Sequence, residues 1–228
     1  MPENNAFMKV TEQLYVYLWA DQRENNCNSV FIDGKVPLLI DPGHQHRLDD
    51  LFSRMRADGV DPGRIKVVVC THAHPDHFEG AAAFKDSSVK IGMSQQEERF
   101  IEDIGRPMFE QQGATMPDYR VDFYLKDGEL LLGKLELQVL LTPGHSPGSI
   151  SIYWPRHKVL IPGDVVFSQG VGRVDLPGGD AKTLRTSVDR LSKLPVELMI
   201  PGHGPAIQGV ERVRRNFEII KRSFLQVR

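Results

Sequence analysis

Cysteine is scarce in this 228-residue chain, which has only Cys27 and Cys70. Two cysteines exclude a disulfide framework, and one bridge between them is not expected in a reducing compartment. Cys70 closes an apolar, strand-like run and reads as a small buried hydrophobe. Long apolar runs are missing too. None approaches the roughly 20 residues that a membrane span needs, so no membrane partner is expected. The opening MPENNAFMKV lacks the charged start and apolar stretch of a secretory signal, which points to the cytoplasm. Nor does one charge sign dominate: 28 Lys and Arg stand against 30 Asp and Glu, with no dense basic stripe. That argues against a nucleic-acid partner and leaves a small molecule as the expected one. Repeats, low-complexity tracts and long linkers are absent, so residues 1–228 read as one domain.

What is present suffices for a sizeable core, since 40% of the residues are apolar. Short strands are expected over Leu14–Trp19, Val30–Asp33 and Val36–Ile40, with Gly34 turning between the last two. Leu48, Leu51, Phe52 and Met55 recur at helical spacing, and Gly59 and Pro62 stop that helix. Further strands are expected over Ile65–Cys70, Val89–Met93, Ser149–Tyr153, Val159–Ile161 and Val196–Ile200. Leu135, Leu137, Val139 and Leu141 alternate strictly, as a half-buried strand does. Helices are expected over His77–Phe84, Gln95–Ile104 and Ala181–Leu191, and in a last segment striped by Val210, Val213, Phe217, Ile220 and Phe224. The stretch Gly105–Asp122 has weak periodicity and carries Met108, Phe109, Met116 and Tyr119. It reads as a pocket wall or as a subunit contact in a homo-oligomer. The whole pattern suits two packed sheets with helices outside.

Five apolar strands run into ligand-type residues. They lead to Asp41, to Thr71-His72-Ala73-His74-Pro75-Asp76-His77, to His145, to Asp164 and to His203. Strand ends on one sheet edge are where loops converge into a site. Gly and Pro near most of these residues supply stiff turns. Packing so many ionisable groups together is costly unless a cation compensates. Nitrogen-rich ligands with carboxylates suit zinc, iron or manganese better than calcium or magnesium. Seven donors exceed one tetrahedral site and suit two ions sharing a carboxylate.

His72-Ala73-His74-Pro75-Asp76-His77 matches the HxHxDH signature of the metallo-beta-lactamase superfamily, and His145, Asp164 and His203 follow in that family's order. The resemblance runs from Leu39-Ile40-Asp41-Pro42-Gly43 to Pro201-Gly202-His203-Gly204-Pro205. It implies an α+β fold, an αββα four-layer sandwich of two mixed sheets flanked by helices. It also implies roles. His72, His74 and His145 would hold one ion, Asp76, His77 and His203 a second, and Asp164 would bridge them. Asp41 would hydrogen-bond behind the ligands.

Within that family, Gly163-Asp164 through Gly179-Asp180 resembles the glyoxalase II-like branch, the hydroxyacylglutathione hydrolases and relatives. The acidic Asp164 sets the chain apart from two-metal beta-lactamases, Phe167 from homoserine-lactone lactonases, and His74 from flavodiiron-type members. Glyoxalase II proper adds a C-terminal helical domain that binds glutathione, whereas about 25 residues follow His203 here. Arg173 is a candidate for holding a substrate carboxylate or phosphate, or for pinning the Phe167–Asp180 loop. Gly170-Val171-Gly172 lacks the third glycine of a nucleotide loop. His44, His46 and His157 fall outside the ligand order and read as ordinary exposed residues.

The leading expectation is hydrolysis of a small ester or thioester by a hydroxide bridging two divalent ions, with zinc the expected metal and iron or manganese the alternatives. Asp76 would orient the nucleophile from its metal-bound position. A persulfide dioxygenase on the same fold is the competing expectation, with a single iron on His72, His145 and Asp164. An accessory protein with structural metals would have lost some of the seven ligands, and none is lost.

Overall fold

The computed structural model describes residues 7–9, 11–21, 23–111 and 116–223. The first sheet is assembled from β1 (Phe7–Lys9), β2 (Leu14–Tyr17), β3 (Ser29–Ile32), β4 (Leu38–Ile40), β5 (Val67–Val69), β6 (Lys90–Ser94) and β7 (Phe123–Leu125), in that order. β1 to β4 pair antiparallel, and β4 to β7 pair parallel. The parallel pairs need crossovers. α1 (Leu48–Ala57) supplies the first, and α2 (Pro75–Phe78) with a 3-10 turn Glu79–Phe84 lies in the second. In the third, α3 (Gln95–Phe100) runs through a π-helical turn, Ile101–Gly105, into α4 (Arg106–Gln111).

The second sheet begins with β8 (Gly128–Leu132), β9 (Leu135–Leu141), β10 (Ile150–Trp154) and β11 (Val159–Gly163). A small ribbon, β12 (Val166–Phe167) and β13 (Gly170–Val171), projects after it. α5 (Ala181–Leu191) leads to β14 (Leu198–Pro201) and β15 (Ile207–Gln208), and α6 (Val210–Ser223) follows. The order across this sheet is β15-β14-β11-β10-β9-β8. Only β11 and β14 pair parallel there.

Alternation along the strands sorts side chains into layers. Val30 and Ile32 of β3 point between the sheets, where they meet Leu137 and Val139 of β9. Phe31 points outward to Leu48, Leu51 and Met55 of α1. On the other outer face, Leu184, Val188 and Leu191 of α5 and Val213, Phe217 and Ile220 of α6 cover Leu160 and Met199. The result is the αββα sandwich. The αβ periodicities predict these faces well, with local exceptions. Val210 heads the α6 stripe yet is exposed, because the helix begins there, clear of the sheet. Phe224 lies outside the described residues. The helix expected over His77–Phe84 begins earlier, at Pro75, and tightens into the 3-10 turn after Phe78. Cys27 and Cys70 are both buried thiols. No helix among the described residues is long and apolar enough to cross a membrane.

The two sheets are tied at one edge. Ile150 N donates to Thr71 O at 2.9 Å, and Asn28 N donates to Gly202 O at 2.7 Å. These bonds tie the carboxyl ends of β5 and β14 to the opposite sheet, and Asp41 N to Val69 O and Gly202 N to Gly163 O set β4 and β11 beside them, so loops from those ends share one space.

Candidate metal centre

The five strand ends predicted to carry ligands do converge. In one half, His74 Nδ1 lies 3.1 Å from His72 Nε2 and 2.8 Å from His145 Nε2. In the other, His203 Nε2 lies 3.1 Å from Asp76 Oδ2 and 3.2 Å from His77 Nε2. Asp164 stands between them. Its Oδ1 is 3.2 Å from His77 Nε2, and its Oδ2 is 3.3 Å from His203 Nε2 and 3.6 Å from His145 Nε2. Each group of three, His72 with His74 and His145, and Asp76 with His77 and His203, offers donor atoms all within 4.8 Å of one another.

Outer partners decide which ring nitrogens face inward. Asp41 is the centre of one network. Its Oδ1 accepts from Thr71 N at 2.7 Å, and its Oδ2 accepts from Thr71 Oγ1 at 2.8 Å and from His77 Nδ1 at 2.9 Å. Because Thr71 spends its proton on Asp41, its oxygen is left to accept from His72 Nδ1 at 3.1 Å. His145 Nδ1 donates to the Arg173 carbonyl at 2.8 Å. His72, His77 and His145 therefore all present Nε2 to the centre. Asp41 adopts a positive φ of 53° to reach this position, a strained choice outside glycine.

Electrostatics agree with a cation site. Burial disfavours the charged form of His72, His74 and His145 and lowers all three, His74 to about 4. His74 Nδ1 thus faces the Nε2 atoms of the other two rings at 2.8 and 3.1 Å. Three tetrahedral zinc ligands at about 2.0–2.1 Å would sit about 3.3 Å apart, close to what is seen. Burial also opposes ionisation of Asp76 and Asp164, but the histidines outweigh it. Asp76 falls to about 2 and Asp164 goes well below the carboxylate range. Those carboxylates in turn keep His77 and His203 protonated against the effect of burial, His203 up to about 9. Such protons are the ones a metal displaces. Asp164 Oδ1 is buried and accepts no well-formed hydrogen bond despite the nearby His77. An orphaned carboxylate oxygen beside converging nitrogens fits a metal ion.

Several residues that hold this arrangement are not evident from ligand spacing. Glu97 of α3 is fully buried. Its Oε2 accepts from Ala73 N at 2.7 Å, and its Oε1 accepts from Gly148 N at 2.6 Å and Ser146 Oγ at 2.7 Å. Asn25 Nδ2 donates to Asp76 Oδ2 at 2.6 Å. Asn28 Nδ2 donates to Pro201 O and Gly204 O, bracketing His203. The Arg173 guanidinium, a candidate substrate clamp, donates to both carboxylate oxygens of Asp175 at 2.8 Å and is exposed. His44 is only partly exposed and pairs with Glu79 at 2.7 Å, whereas an ordinary surface position was expected. His157 packs on Trp154.

A family model of the metallo-beta-lactamase superfamily matches residues 23–203. The chain belongs to this superfamily. Relatives within it include the probable metallo-hydrolase YqgX of Bacillus subtilis (strain 168). It is 35% identical over 176 residues, 74% of this chain and 80% of that protein. Hydroxyacylglutathione hydrolase GloC of Haemophilus influenzae is 32% identical over 191 residues, 79% of this chain and 86% of its own length. The solved structure of TTHA1623 in a di-iron-bound form superposes with a TM-score of 0.69 at 30% identity, covering 86% of this chain and 93% of that one. As a superfamily member, this chain is a metallo-hydrolase-like enzyme with a His/Asp metal cluster at the expected sheet edge.

Above the metal centre opens a cavity of about 730 Å³, within the range of small-molecule sites. His74, Asp76, His145, Asp164 and His203 form its floor, and Arg173 stands at its side.

Proposed function

We propose that the chain is a binuclear metal hydrolase of small esters or thioesters. The observation that carries this reading is the complete second half of the cluster. Asp76, His77 and His203 are gathered as closely as His72, His74 and His145, with the Asp164 carboxylate reaching both. On this reading His72, His74 and His145 would hold one ion, Asp76, His77 and His203 a second, and Asp164 would serve both. When bound, two such ions lower the pKa of a water and polarise a carbonyl. Zinc is the expected metal, and iron is the alternative that the di-iron structure of a relative suggests.

The chain's own residues then perform the remaining work. Asp76 lines the cavity as an ionised carboxylate, fixed by Asn25, and can accept a hydrogen bond from the attacking water to orient it. His77 and His72 lie beneath the floor and keep their orientation through Asp41 and Thr71. His145 is anchored to the Arg173 carbonyl, so the loop carrying Arg173 positions a ligand histidine rather than only lining the cavity.

The test is elemental analysis of protein purified without added metal, run with two assays. About two ions per chain with thioester cleavage supports the proposal, and Asp164→Ala should then drop occupancy towards one ion and abolish the rate. A single iron, with oxygen uptake on glutathione persulfide and no thioesterase activity, would replace it with the mononuclear oxygenase reading.

A further inference from the structure

The metal floor of the cavity is polar, but one wall is not. Phe78, Phe100, Ile101, Met108, Phe109 and Met116 form that wall, from α2, the α3–π turn–α4 segment and the residues that follow. Phe78, Phe100, Ile101 and Met116 belong to the outer core of the first sheet, and Phe109 packs against it. The wall is therefore backed by close-packed side chains and cannot readily turn polar groups inward. Met108 lines the cavity and is exposed. Methionine adapts to chains of different shape. The π-helical turn Ile101–Gly105 is a rare conformation, frequent at functional sites, and it sets Ile101 and Gly105 into the cavity lining.

Cations are the complementary observation. Among the described residues lining the cavity, Arg173 is the only Lys or Arg. Its guanidinium is already engaged by both oxygens of Asp175. A glutathione leaving group brings two carboxylates, and burying them beside this wall without partners is costly. A small hydroxylated acyl group such as lactoyl would leave the wall uncovered.

We propose that this cavity selects an ester or thioester with an unbranched apolar acyl chain, with α4 and the π turn setting that preference. This rests on the hydrolase reading above. The reaction is hydrolysis. The oxygen of water bonds to the acyl carbon, the C–S or C–O bond breaks with its electron pair on the departing atom, that atom takes up one proton of the water, and the other is released to solvent. The products are a fatty carboxylate and a thiol or alcohol. Each methylene laid on the wall should raise kcat/KM by up to about fourfold.

The experiment uses the full chain with its metals. Thioesters of one small thiol, N-acetylcysteamine, are compared from acetyl to octanoyl, alongside S-lactoylglutathione. The expected result is a rise in kcat/KM of at least about tenfold from butanoyl to octanoyl, with octanoyl ahead of lactoylglutathione. Met108→Glu, at an exposed position, should flatten the dependence on chain length, mainly through KM. A flat or falling series with lactoylglutathione cleaved best would overturn the acyl-chain assignment and leave the hydrolase reading standing. Cleavage of no thioester by metal-loaded protein would overturn both.

Discussion

Removing the Glu97 carboxylate should loosen the metal centre from behind. Glu97 touches no ligand atom, yet it joins the two loops that carry three of them. Ala73 N, which it accepts from, lies between His72 and His74, and Ser146 and Gly148 follow His145. Burial pushes the Glu97 carboxyl up, and the three donors oppose that shift. In Glu97→Ala, two backbone N–H groups lose their acceptor in a sealed space, while Ser146 Oγ can still donate to Ser149 Oγ. An unsatisfied buried donor costs about 1–3 kcal/mol, so a total of about 3–5 kcal/mol is expected with the small cavity included. Glu97→Gln keeps the shape and one acceptor oxygen but turns an NH₂ towards a donor, for about 1–3 kcal/mol. Partners behind ligands are worth about 10–100-fold in metal affinity. Urea denaturation of metal-free protein reads the first quantity, and competition with a zinc chelator reads the second. Glu97→Gln should fold and yet bind its tighter zinc at least about tenfold more weakly. If its affinity stayed within twofold of the parent chain, the idea that Glu97 positions the His72–His74 and His145 loops would be wrong.

Other perturbations probe separate parts of the structure. A Cβ at Gly202 would lie 2.1 Å from Asp164 Oδ1 and 2.7 Å from His77 Cε1. Gly202→Ala should therefore displace the shared carboxylate and lower metal content below two per chain, and elemental analysis showing two retained ions would contradict this. Stripping metal with a chelator leaves the crowded histidines and carboxylates uncompensated. Free metal at 100 times Kd stabilises by about 2.7 kcal/mol. At about 2–4 °C per kcal/mol for a chain of this size, Tm should fall by about 5–10 °C on chelation. For His44, burial opposes protonation, but the Glu79 hydrogen bond and nearby carboxylates outweigh it and raise the pKa above its ordinary 6.5. A raised folded-state value means the pair stabilises fully below about 6.5, and its contribution disappears as pH climbs through the folded value. The Tm gap between the parent chain and His44→Ala should be widest below about pH 6.5 and narrow as pH rises. A gap that widens with pH would invert the assignment.

The cluster of histidines and aspartates was legible because its members fall in segments that begin where apolar strands end. Strand ends are fixed by the core, so sequence position carries over to spatial position. Asp41 was legible for the same reason, at the end of β4. Glu97 was hidden by a local pattern. Ser94-Gln95-Gln96-Glu97 has the spacing of a capping box, in which the glutamate would turn back to its own helix start. Ser94 does accept from Glu97 N at 3.2 Å, but the carboxylate reaches across to two other loops. Nothing in the local sequence distinguishes these outcomes. Asn25 and Asn28 likewise read as polar loop residues, and their partners lie 51 and 173 or more positions away. In the Gly105–Asp122 stretch, weak periodicity concealed α4, which continues from the π-helical turn Ile101–Gly105 and carries Pro107 at its second residue. Residues 112–115 of that stretch lie outside the described structure.

The choice between one ion and two turns on whether the second triad is held in place for a purpose. A residual triad, released from holding metal, would be expected to relax towards ordinary hydrogen bonds. That is not what the neighbours of these residues do. His77 is fully buried, with Nδ1 committed to Asp41, so its Nε2 has no freedom to turn away from Asp164. Asp76 is drawn by Asn25, and the His203 loop is bracketed by two bonds from Asn28. Gly202 leaves room for Asp164 where any Cβ would push into its carboxylate. Asp41, Asn25, Asn28 and Gly202 thus keep the Asp76, His77 and His203 side as constrained as Glu97 and Arg173 keep the other. Holding the buried Asp164 Oδ1 without a hydrogen bond is costly, and without a metal the charge on this side is balanced only by keeping His77 and His203 protonated. The cost is understandable if a second ion occupies the site, which favours the binuclear reading over the mononuclear one.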